Sequence, residues 1–195
     1  MKSDDRVKCA LVICCIFFLL CACSGNKALL PAKVSLKEEP DKVGPVEIKR
    51  KDTSYVTGTL PIGWTRLNVG KADVAFTNQY HNATIIAVAH CGYAKHVPLV
   101  ALRNHLLLDI THRQIESQEE TVLDARFALK TVVNGHYENA PIKLTMYTTQ
   151  IDKCVYDFVY ISAPESFSAC QSDFDSFVSG FHTERIPFNM EEESR

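Results

Sequence analysis

The sequence lacks the short patterns that mark common catalytic chains. It has no Gly-x-Ser-x-Gly elbow, no His-Glu-x-x-His helix, no phosphate loop and no dinucleotide fingerprint. These absences argue against a serine hydrolase, a zinc protease, a nucleotidase and a Rossmann dehydrogenase. Dithiol redox chemistry wants a closely spaced Cys-x-x-Cys pair, and there is none. Charge of one sign is also missing, since 21 basic residues face 23 acidic ones, so the chain has no electrostatic footprint for nucleic acid. Nothing repeats along it, which excludes a solenoid. No apolar run is long enough for a permanent transmembrane helix. The longest, from Cys9 to Ala22, is 14 residues and would span about 21 Å as a helix, against a hydrocarbon core of roughly 30 Å.

That run nevertheless has a reading of its own. Lys2, Arg6 and Lys8 precede it and polar Ser24-Gly25-Asn26 follow it, which is the order of parts in a signal peptide. Leu20-Cys21-Ala22-Cys23 resembles the bacterial lipobox. That resemblance implies removal of residues 1–22 and a lipid on Cys23. Ser24, in place of Asp, implies sorting to the outer membrane in the enteric pattern. Two or more acyl chains, at roughly 0.8 kcal/mol per buried methylene, anchor a protein far longer than one.

Five of the eight cysteines lie at or before position 23, leaving Cys91, Cys154 and Cys170 for the folded part. An odd number leaves one unpaired. Cys91 closes one expected strand and Cys154 opens another, whereas Cys170 lies on the apolar stripe of a helix. The preferred pairing under export conditions is Cys91 with Cys154, leaving Cys170 as a core thiol.

Residues 23–52 carry three prolines and mixed charge without a sustained period, and read as a lipidated N-terminus and flexible tether, the alternative being a segment that wraps onto the domain as a strand. A coil of that length would hold its cargo on the order of 30 Å from the bilayer. Residues 53–183 read as one domain, and 184–195 as an acidic tail. Within the domain, short alternating runs predict strands near 64–68, 72–77, 83–91, 113–121, 124–133, 141–150 and 154–162. In the last, Cys154, Tyr156, Phe158 and Tyr160 share one face and Val155, Asp157, Val159 and Ile161 the other, so the strand should be central and covered twice. Helices are expected after Pro98, with Leu99, Leu102, Leu106 and Ile110 at helical spacing, and from Pro164 to Phe181, with Phe167, Cys170, Phe174, Phe177 and Phe181 in one stripe. The fold class is α+β: an antiparallel sheet flanked by helices. The two helices lie on opposite faces in an α/β/α sandwich, or else share one face.

The order of these elements, with Gly63-Trp64 at the start, two long strands around Asn134-Gly135, Cys154-Val155-Tyr156-Asp157 and the closing Val178-Ser179-Gly180-Phe181, resembles the PsbP-like superfamily. That family includes an extrinsic subunit of photosystem II, the Ran-binding Mog proteins and many bacterial lipoproteins. The resemblance implies an antiparallel sheet flanked by helices and a stabilising, adaptor or binding role, with no shared catalytic motif.

The nearest approach to a catalytic or metal constellation is His90-Cys91 with His96 and His105, although neighbours on a strand point to opposite faces. Arg126 and Asp157 are candidates for an ion pair, and Tyr147, Tyr156 and Tyr160 for core packing or a binding face. The expectation is a noncatalytic lipoprotein with no metal and no cofactor. It is anchored in a bacterial membrane through Cys23, faces the periplasm from the outer membrane, and binds or stabilises a protein partner in the cell envelope. The alternatives are a carrier of a small apolar or lipid ligand between sheet and helix, and an enzyme using His90 or Cys91.

Overall fold

The computed structural model describes residues 35–36, 43–93 and 95–184. The signal segment 1–22, Cys23 and the tail beyond Glu184 lie outside the described residues.

Eight strands form one antiparallel sheet: β1 (Ser35–Leu36), β4 (Thr65–Asn68), β5 (Val74–Asn78), β6 (Ala83–Cys91), β10 (Cys154–Ser162), β9 (Ala140–Ile151), β8 (Arg126–Tyr137) and β7 (Thr111–Leu123), in that spatial order. Three more, β11 (His182–Glu184), β3 (Ser54–Thr57) and β2 (Val46–Lys49), make a small second sheet. Helix α1 (Leu99–Leu106) and helix α2 (Phe167–Ser179), the latter entered through a 3-10 turn at Pro164–Ser166, complete the fold.

Alternation along β10 separates two cores. Cys154, Tyr156, Phe158 and Tyr160 join the larger core with the α2 stripe, whereas Val159 and Ile161 pack against a smaller cluster of Leu107, Ile110, Val133, Ile142, Leu144 and Met146. The helices therefore cover opposite faces of the sheet, which decides for the α/β/α arrangement. Phe174 and Phe177 are fully buried and Phe181 nearly so. Each such ring is worth roughly 1.5–3 kcal/mol in area removed from water. All five stripe residues, Phe167, Cys170, Phe174, Phe177 and Phe181, are buried against the sheet.

Two expectations are corrected. The tether was to run to residue 52, but β2 pairs with β3 in register Ile48 to Tyr55, and Ile48 is buried in the core. Val46 and Ile48 turn inward while Glu47 and Lys49 turn out, a four-residue alternation too short to stand out in sequence. Val43 also bridges to Leu60, and Ser35–Leu36 already pairs with β4, so part of the expected tether belongs to the fold. Asn134-Gly135, expected between two long strands, lies within β8. The turn falls at Glu138-Asn139, both with positive φ. Gly135 is needed for close approach, since a Cβ there would lie 2.5 Å from Ile110 Cγ2 and 3.0 Å from the Thr111 carbonyl.

Candidate functional site

The sheet ends on the α1 side in a cleft whose rim is built by side chains from three elements. Cys91 and Cys154 are direct cross-strand partners and are joined by a disulfide. Just beyond it, Gly92, with φ of 101°, turns the chain, and the Gly92 and Tyr93 N–H groups both donate to the Lys153 carbonyl at 3.1 Å. Gln150 on β9 then holds the loop from both sides: its Oε1 accepts from Val97 N–H at 2.8 Å, and its Nε2 donates to the Lys95 carbonyl at 3.2 Å. Pro98 starts α1 immediately afterwards.

The resulting cleft, of about 550 Å³, is lined by Val97, Ala101, Leu102 and Leu106 on the helical side, and by His90, Tyr93, His105 and Asp157 around them. Asp157 is 4% exposed and sits mid-strand in β10, opposite Val88 and Thr148. Burial disfavours its charged form and pushes its pKa up to about 7. Its Oδ1 has no hydrogen-bond partner among the described residues. Neither do Thr148 Oγ1, Thr131 Oγ1, nor Nε and Nη1 of the buried Arg103 on α1. Buried polar atoms left open cost about 1–3 kcal/mol each, and of these Asp157 is the one whose residue lines the cleft.

The sequence candidates fare differently. Disulfide bonding removes Cys91 as a nucleophile. His90 and His105 do meet in the cleft, both at its exposed rim, whereas His96 is exposed away from it. No cluster of three metal-ligating side chains occurs among the described residues. The Arg126–Asp157 ion pair does not form: Arg126 is exposed beside the β7–β8 turn, and Asp157 is enclosed at mid-sheet. Tyr147, Tyr156 and Tyr160 are core residues with bonded hydroxyls. Tyr147 donates to Asp175 at 2.8 Å and Tyr160 to the Phe167 carbonyl at 2.7 Å, and Tyr156 shares a 2.6 Å bond with Thr53. Cys170 is a buried thiol, pushed up to about 11 by burial and by Asp173.

Sequence reasoning missed the hub at Asp73. Its carboxylate accepts from Arg50 at 2.6 Å, Tyr55 at 2.8 Å and Ala89 N–H at 2.7 Å, tying the small sheet to β6. Only the short β2–β3 pairing brings Arg50 and Tyr55 there, so no local signal announces it.

A second surface lies at the far edge of the main sheet. Strand β7 is the last in order, and nearly all of it is exposed. Val122 and Phe127, 61% and 75% exposed, face each other across the turn Asp124-Ala125, whose two residues both have positive φ. No helix among the described residues is long and apolar enough to cross a membrane.

No family model and no curated protein matches the sequence. Among solved structures, the chain is similar to cyanobacterial PsbP from Synechocystis at 12% identity, over 73% of this chain and 94% of that one, with a TM-score of 0.52. A Pseudomonas aeruginosa protein of unknown function aligns at 9% identity over 73% of this chain and 99% of that one, with a TM-score of 0.46. LpqN, involved in cell envelope biogenesis of Mycobacterium tuberculosis, aligns at 8% identity over 78% of this chain and 83% of that one, with a TM-score of 0.42. Together with the antiparallel sheet and its two opposed helices, the cyanobacterial match makes this a PsbP-like fold.

Proposed function

We propose that this chain is a noncatalytic lipoprotein of the bacterial cell envelope, tethered through Cys23, whose PsbP-like domain binds or stabilises a protein partner. The observation that carries the reading is the β7–β8 hairpin. It combines a strand edge that is unpaired among the described residues with two large apolar side chains held out at its tip. Soluble proteins usually blunt such edges, and a partner strand can add to one through main-chain hydrogen bonds. Two irregularities in β7, before Gln114 and before Ser117, twist its first half away from regular pairing, but residues 117–123 remain regular and open. Glu120 lies on this stretch and favours a basic partner segment, while Glu119 beside it already faces Lys130 at 3.8 Å.

The Cys91–Cys154 disulfide supports export, because such bonds persist in oxidising compartments such as the periplasm. It agrees with the signal-like N-terminus and with Cys23 as the lipidated residue, facing the periplasm from the outer membrane.

Two measurements test the proposal. Palmitate labelling and detergent partitioning should be lost in Cys23→Ala; if both persist, the anchor is not there. Capture from crosslinked membranes should recover a partner with the wild type and lose it with the Val122→Asp, Phe127→Asp double variant. Equal recovery with both would refute the hairpin as the contact.

A further inference from the structure

The geometry points to a second, independent site: the cleft under α1 binds a small aliphatic amine, its chain against Ala101, Leu102 and Leu106 and its ammonium group on Asp157. The hairpin and the lipid anchor play no part in this argument, and it stands or falls apart from them.

Three observations converge. The cleft has the volume of an ordinary small-molecule site, about 550 Å³, and its helical wall is aliphatic. Asp157 lines it, is almost wholly buried, and has an oxygen without a partner among the described residues. A carboxyl group in the middle of a sheet strand is costly unless something bonds it; the groups opposite it on the flanking strands, Val88 and Thr148, supply no cation, and Arg103 on the covering helix neither lines the cleft nor bonds Asp157 among the described residues. An ammonium donates up to three hydrogen bonds and carries the missing charge. It can therefore satisfy the open oxygen of Asp157 from within the cleft. The cleft is also formed in advance. Gln150 bonds the incoming loop at two points and the disulfide fixes the strand ends beneath it, so little ordering accompanies binding.

The probe is n-hexylamine, with n-hexanol and hexanoate as equal-length controls, titrated into the full chain and followed by amide chemical shifts of residues 97–106 and 155–159. Hexylamine is expected to shift these amides with an affinity at least tenfold above either control. Asp157→Asn is expected to erase that preference, and Ala101→Trp, which closes the cleft without touching Asp157, to abolish binding. Comparing variants in the same medium removes any partitioning of the probes. The proposal is overturned if no probe shifts these residues at millimolar concentration, in which case the open polar atoms hold water only. It is equally overturned if hexanol or hexanoate binds as well as the amine, or if Asp157→Asn keeps the preference.

Discussion

The buried carboxyl of Asp157 makes stability depend on pH in a direction opposite to that of most acidic side chains. In the unfolded chain this group ionises near 3.8, and in the fold near 7. Its folded pKa is raised, so its favourable contribution is complete below about pH 4 and is lost as pH rises through 7. At one unit per 1.36 kcal/mol, the full swing is on the order of 4 kcal/mol, of which roughly 2–3 kcal/mol falls between pH 5 and pH 8. Several other shifted groups among the described residues titrate outside this window. Tyr147, Tyr160 and Cys170 move up to about 12, 12 and 11, and Glu116, held by Lys143 and Asn134, moves down. Urea unfolding of the full chain, disulfide intact, should give a stability at pH 5 higher than at pH 8 by that amount. In Asp157→Asn the pH dependence should flatten. Equal stability of the wild type at the two pH values, or an unchanged slope in the variant, would refute the burial argument.

Removing the disulfide by Cys91→Ser with Cys154→Ser should cost up to about 4 kcal/mol by the chain-entropy argument for a separation of 63 residues, read as a lower urea midpoint. Cys170 should resist alkylation in the native protein and react only on unfolding, because it is 1% exposed and its thiol is held protonated. Gly135→Ala should destabilise by about 1–3 kcal/mol in thermal or urea melts, since its methyl would collide with Ile110 and the Thr111 backbone. Val122→Asp should leave the melt within about 0.5 kcal/mol of wild type, so that any loss of partner is a loss of contact.

Much of the main sheet was legible because its strands are long. Strands β6, β8, β9 and β10 run for nine to twelve residues, enough for alternation and turn residues to agree. The α2 stripe was equally clear, since five apolar positions at steps of three and four leave one orientation. The small sheet was not. Its strands have three or four residues, and Ile48 and Tyr55 become core only through pairing between distant segments. Asn134-Gly135 misled because that dipeptide favours hairpin turns, yet here the glycine answers a steric demand from Ile110. Asp157 was visible as the lone acid in an otherwise apolar strand, a signal that a buried and unpaired group fits better than an ion pair with Arg126. Gln150 could not have been found, because its role depends on where the loop before α1 passes.

The central claim is that the hairpin edge meets a protein partner at the membrane. A photocrosslinking residue placed at Phe127 in the full chain, in living cells of a bacterium that carries this gene, tests it most directly. The account predicts one discrete adduct in the membrane fraction that disappears when Cys23 is changed to Ala. No adduct, or an adduct that persists unchanged without Cys23, would contradict it.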